Sequence, residues 1–91
     1  YTPEVQAGMK QHFIDRHLAK IKHSDAIFVL NNQKGDLANY IGPNVLLEMA
    51  FAYALDKKIY LYQDIPTQQS NEVEIRGLRP ICLRGDINQI I

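Results

Sequence analysis

The chain has 91 residues, enough for one domain with a thin core. Hydrophobic residues make up 46% and charged residues 22%, a globular composition that excludes intrinsic disorder. Ten basic and ten acidic side chains cancel, so no net field draws the chain to nucleic acid or to an anionic membrane surface.

Tyr1 stands where a natural chain normally has Met, so an upstream segment is expected, in particular a missing N-terminal strand. Tyr1 to Lys10 has no apolar run behind a basic one and so reads as no secretory signal. Thr2-Pro3 is a helix start: the hydroxyl can cap free N–H groups, and proline costs nothing in the first turn. A helix follows to about Lys22. Val5, Met9 and Phe13 with Ile14, Leu18 and Ile21 give it one broad apolar face, which is expected to pack on a sheet.

Ser24-Asp25 breaks the pattern, and Ala26 to Leu30 is a continuous apolar run, as a strand buried on both faces should be. The Asn-, Gly- and Asp-rich stretch Asn32 to Gly42 reads as a loop, and Pro43 as the first turn of a second helix running to about Asp56. That helix carries the longest apolar stretch, Val45 to Leu55. Glu48 interrupts it, and it falls short of the roughly 20 residues of a membrane span.

Ile59 to Tyr62 reads as a second buried strand, which completes a strand-helix-strand unit and predicts parallel neighbours in an α/β fold. Gln63 to Ser70 is the next loop. Glu72 to Gly77 then reads as a short helix, Pro80 to Leu83 as a short third strand, and Gly85-Asp86 as a turn. The single Cys82 cannot form an internal disulfide, which fits a reducing compartment and predicts a cytoplasmic protein.

In open parallel sheets, ligands bind beyond the carboxyl ends of the strands, which selects the loops after Leu30 and Tyr62. The second helix starts there, so its first amides near Gly42, Pro43 and Asn44 favour a polar or anionic ligand. Glu48 is the one charge in an apolar helix. A carboxylate there needs a partner or a purpose, and it reads either as a functional group or as one bonded to solvent or a loop. Asp25 reads as a cap or turn residue after the first helix. His12, His17 and His23 lack a second ligand cluster and read as surface or packing residues. Lys57-Lys58 reads as the basic end of a helix, and Cys82 as core.

The stretches Ser-Asp-Ala-Ile-Phe-Val-Leu-Asn, Asn-Tyr-Ile-Gly-Pro-Asn-Val-Leu-Leu-Glu-Met-Ala-Phe-Ala and Lys-Lys-Ile-Tyr-Leu-Tyr resemble the nucleoside 2-deoxyribosyltransferase family, over roughly Ile21 to Leu83. The resemblance implies a three-layer, Rossmann-like (flavodoxin-like) parallel sheet flanked by helices, and a homo-dimer or higher homo-oligomer. It also implies cleavage or transfer at the N-glycosidic bond of a nucleoside or nucleotide, without a cofactor. Glu48 stands where the family's glutamate nucleophile would stand, and Asp25 matches an aspartate placed near the base, a candidate proton donor.

Many members carry an aspartate ahead of the glycine that opens the catalytic helix; here Asn39 and Tyr40 occupy that stretch and offer contacts to base or sugar. The expected site is therefore Glu48 and Asp25 as catalytic residues, with Asn31, Asn39, Tyr40, Gly42 and Asn44 as substrate-binding residues. Glu48 should face the pocket between the loop after Asn31 and the start of the second helix. A nucleotide-binding or assembly module without catalysis is the alternative.

Overall fold

A computed structural model describes residues 1–90. The element order is α1 (Pro3–Lys22), β1 (Ala26–Val29), α2 (Pro43–Ala54), β2 (Lys58–Leu61), α3 (Glu72–Gly77), β3 (Ile81–Cys82) and a 3-10 turn, η1 (Ile87–Gln89). The three strands form one open sheet in the order β1-β2-β3, every pair parallel. This is an α/β, Rossmann-like arrangement, with β1 and β2 as the parallel neighbours that the strand-helix-strand pattern predicts. Both strands end one residue earlier than their apolar runs, and β3 is limited to Ile81–Cys82. The ladder nevertheless continues through single backbone bonds, Tyr62 N–H to Val29 at 2.9 Å and Leu83 N–H to Leu61 at 2.8 Å.

Local chemistry sets the helix ends. The Thr2 hydroxyl accepts from the Val5 N–H at 3.2 Å, the cap expected from Thr-Pro. Helix α2 stops before Asp56 because that residue takes a left-handed φ of 59°. Lys57 N–H then reaches Ala52 O at 2.8 Å and Asp56 N–H reaches Tyr53 O at 3.1 Å, the two bonds of a Schellman motif.

Alternation along the strands divides the sheet into two faces. Ile27 and Val29, paired with Ile59 and Leu61, belong with Met49 and Ala52 of α2 and Ile75 of α3 to one buried cluster. On the other face the register aligns Phe28, Tyr60 and Ile81. Tyr60 is buried there, whereas Phe28 and Ile81 stay nearly half exposed. Phe28 meets Tyr62 edge-on at 6.1 Å between ring centroids. Gln89 in η1 donates to Leu83 O at 2.8 Å and so holds that turn beside the buried Leu83.

Of the apolar face of α1 only Ile21 joins the buried cluster on the sheet, a smaller share than its sequence pattern predicts. The helix lies along α2 and buries only Ile21, leaving Val5 47% and Met9 56% exposed. Dimensions explain the difference. A 20-residue helix is about 30 Å long, whereas strands of four residues span about 13 Å, so most of α1 has no sheet beneath it. Among the described residues no helix is long and apolar enough to cross a membrane.

Candidate functional site

Two loops meet at the carboxyl ends of the strands, and one buried side chain ties them together. Asn31, 1% exposed, accepts at Oδ1 from the Gln63 N–H at 2.8 Å. Its Nδ2 donates to Asp64 O at 2.8 Å and to Asn39 O at 3.5 Å. A second tie joins Gln69 to the backbone of Ile41, which donates to Oε1 at 2.7 Å and accepts from Nε2 at 2.8 Å. Within the first loop, Lys34 and Leu37 exchange two backbone bonds of 2.9 Å around Gly35, whose φ of 57° suits a residue without Cβ. The loop is thus a built structure.

Against this frame lies an open cavity of about 360 Å³, bounded by Asn32, Lys34, Tyr40, Gly42, Asn44 and Val45 with Leu30 and Pro43. The Tyr40 ring leans on Gly42, where an added Cβ would sit 3.4 Å from Cε2. Lys34 Nζ lies 4.8 Å from the Tyr40 ring centroid, a cation held over a π face. The first turn of α2 has no side-chain cap and no acidic residue, so its amides add positive potential at the cavity wall. The arrangement offers an aromatic surface, two amide side chains and a cation to a polar or anionic ligand.

Three of the five expected binding residues, Tyr40, Gly42 and Asn44, come together in this cavity. Asn31 and Asn39 are not among its lining residues. Asn31 spends its amide on the loops, and Asn39 takes a left-handed φ of 58° while its carbonyl accepts from Asn31. Asp25 is exposed just before β1, at the amino end of the sheet, separated by the whole length of the strand from the residues it was expected to join.

Glu48 lies one helical turn from Asn44 on the same face of α2, since residues four apart align. Contrary to the sequence expectation that it faces this pocket, Glu48 does not line the strand-end cavity; its side chain turns to α1, where Oε1 is 3.4 Å from His17 Nδ1. Both side chains are about one-third exposed, at 29% and 32%. The His17 ring stacks on Phe13 with centroids 4.1 Å apart, Lys10 Nζ sits 4.5 Å over the Phe13 ring, and Lys10 also contacts Asn44 Oδ1. The pairs Lys10–Asn44 and His17–Glu48 occur in the same order along both helices, so α1 and α2 run parallel with a polar seam between them.

Nothing in the sequence tells which of His12, His17 and the helix-capping His23 meets a carboxylate, because that depends on what α1 packs against.

Cys82 is half-buried on the core side of β3, and burial, reinforced by the negative Asp64, pushes its thiol pKa up. A raised thiol pKa makes it a poor nucleophile. Among the described residues no three histidine, cysteine, aspartate or glutamate side chains gather where they could hold a metal ion. No family model, curated protein or solved structure matches this chain.

Proposed function

We propose that the chain binds a nucleoside or nucleotide at the carboxyl ends of its strands, and that Glu48 is the nucleophile for cleavage or transfer at the N-glycosidic bond. The observation that carries this reading is the shared helix face. Asn44 lines the cavity, and Glu48, the only carboxylate on α2, follows one turn, or about 6 Å, further along. The resemblance of the segment around Gly42 and Glu48 to the deoxyribosyltransferases supports the same assignment.

In the proposed reaction a base rests on Tyr40, with Lys34 and the first turn of α2 available to a phosphate. The Glu48 carboxylate attacks C1′ as the C1′–N bond breaks. The bond's electrons leave with the base, which takes up a proton from solvent, and water or a second base then displaces Glu48 from the sugar and gives its proton back to solvent. Asp25 has no part in this scheme, because it lies at the other end of the sheet. No cofactor enters the reaction, and the lone thiol of Cys82 fits a cytoplasmic setting.

The test is chromatographic detection of free base after incubation with 2′-deoxynucleosides and their 5′-monophosphates. Release by the wild type and its loss in Glu48→Gln support the reading; equal release by both proteins rejects it.

A second reading, ligand binding without turnover, is favoured by the turn of Glu48 toward His17 and away from the strand-end cavity. Saturable binding of nucleotide with no base released would select it.

A further inference from the structure

We propose that the amino end of the sheet carries a second ligand site, a cation-lined cavity for a small molecule bearing a di- or triphosphate. It is independent of the reading of Glu48. The cavity measures about 420 Å³, within the range of small-molecule pockets, and is lined by Lys57, Lys58 and Arg79 with Asp56 and Tyr53.

Two separate turns supply the cations. Lys57 and Lys58 lead from α2 into β2, and Arg79 follows α3 on the way into β3. The parallel register that pairs Tyr60 with Ile81 sets Lys58 level with Arg79, each two residues before its strand's member of that pair. Neighbouring strands lie about 4.8 Å apart, so two like charges stand side by side, an arrangement that destabilises a sheet unless something neutralises it. Among the described residues no carboxylate does so: Lys57, Lys58 and Arg79 take part in none of the ion pairs. Asp56 is the one acid of the cavity, and Asp25, at the neighbouring end of β1, lies outside it.

Arg79 is also held against its backbone preference. Its φ of 56° is left-handed, at a place just past a helix end where glycine is the usual residue. Glycine there would remove both the strain and the repulsion, so the guanidinium is kept at a cost to the fold, as groups that meet ligands often are. Basic residues near a helix end also complement its dipole. That accounts for only about half a charge at each of the ends of α2 and α3, and three cations beside one carboxylate exceed it.

The side chains present suit phosphate. The planar fork of Arg79 can donate to two oxygens of one phosphate, and the two lysines act as point charges toward a second. Tyr53, 55% exposed, gives the cavity an aromatic wall for the organic part of such a ligand.

The experiment titrates the ¹⁵N-labelled chain with pyrophosphate in metal-free buffer and follows the backbone amides by NMR. Saturable shifts should appear at Lys57, Lys58 and Arg79. Arg79→Gly and Lys58→Gln should each weaken binding about tenfold, on the scale of one charge-assisted hydrogen bond. Asp56→Gly, which removes the carboxylate, should strengthen it. Both glycine variants keep the fold, because glycine accepts the left-handed φ of Arg79 and of Asp56 without strain. Shifts confined to Lys34, Gly42 and Asn44 would put the anion in the strand-end cavity and overturn the proposal. So would the absence of saturation at millimolar pyrophosphate, or unchanged affinity in both Arg79→Gly and Lys58→Gln. Citrate binding as tightly as pyrophosphate would overturn the assignment to phosphate.

Discussion

The side-chain oxygen of Asn31 accepts a 2.8 Å hydrogen bond from the backbone N–H of Gln63, joining the end of β1 to the loop that follows β2. With the 2.8 Å bond from Nδ2 to Asp64 O, the amide replaces a stretch of sheet where the two strands part. Asn31→Ala leaves a buried N–H and a buried carbonyl without their partner, so unfolding in urea should show a loss of about 2–4 kcal/mol. Asn31→Asp should also destabilise, because a carboxylate sets negative charge where Asp64 O needs a donor. A change below about 0.5 kcal/mol in both variants would contradict the latch.

Lys34 separates the phosphate question from the base question. It stands over Tyr40 at the cavity edge. Lys34→Ala should weaken binding of a deoxynucleoside 5′-monophosphate about tenfold and leave the parent nucleoside within about twofold, on the scale of a charge-assisted hydrogen bond. Tyr40→Ala should weaken both. Calorimetric titration of the two ligands distinguishes these patterns, and equal losses for both ligands in Lys34→Ala would remove the phosphate from its proposed place.

Cys82 gives a pH dependence whose sign is fixed. Burial, reinforced by Asp64, raises its pKa in the folded chain, so the unfolded chain loses the thiol proton first as pH rises. The stabilising contribution is complete below the ordinary thiol pKa of about 8.5 and is lost as pH climbs through the raised folded value. Iodoacetamide labelling at pH 8 should accordingly be several times slower in the native chain than in urea, and Cys82→Ser should flatten the alkaline fall in stability. Equal labelling rates in both states would contradict it.

Self-association belongs to the proposed reading. Leu47 and Tyr53 on α2 are 40% and 55% exposed, and Phe28 and Ile81 are partly open on the sheet. Light scattering at micromolar concentration should therefore give at least a dimer. A monomer across the accessible concentration range would remove oligomerisation from the account.

The strand-helix-strand unit was legible because each signal was local: an apolar run, a loop of Asn and Gly, Pro43 as a first helical residue, then a second apolar run. The cavity residues Tyr40, Gly42 and Asn44 were legible for the same reason, since all three belong to one loop and the helix it opens. The bonds of Asn31 were not legible because its partners, Gln63 and Asp64, come more than thirty residues later, on a strand end that only the parallel register brings alongside. Asp25 stands just before β1, at the amino end of the sheet, and its expected place beside the base came from the resemblance, which carries no such distance. The extent to which α1 packs on the sheet was not legible, because an apolar stripe states that a helix has a preferred face and does not name what covers it. The approach of His17 to Glu48 depends on α1 lying beside α2, a long-range relation that no local pattern states.

The central claim is that Glu48 forms a bond to the sugar. Mass spectrometry of the intact chain, quenched in acid during incubation with a deoxynucleoside, measures this directly. The account predicts an added mass equal to the sugar without its base, mapped by digestion to the peptide containing Glu48 and absent in Glu48→Gln. Base release with no sugar adduct on that peptide, or an adduct that persists in Glu48→Gln, would contradict it.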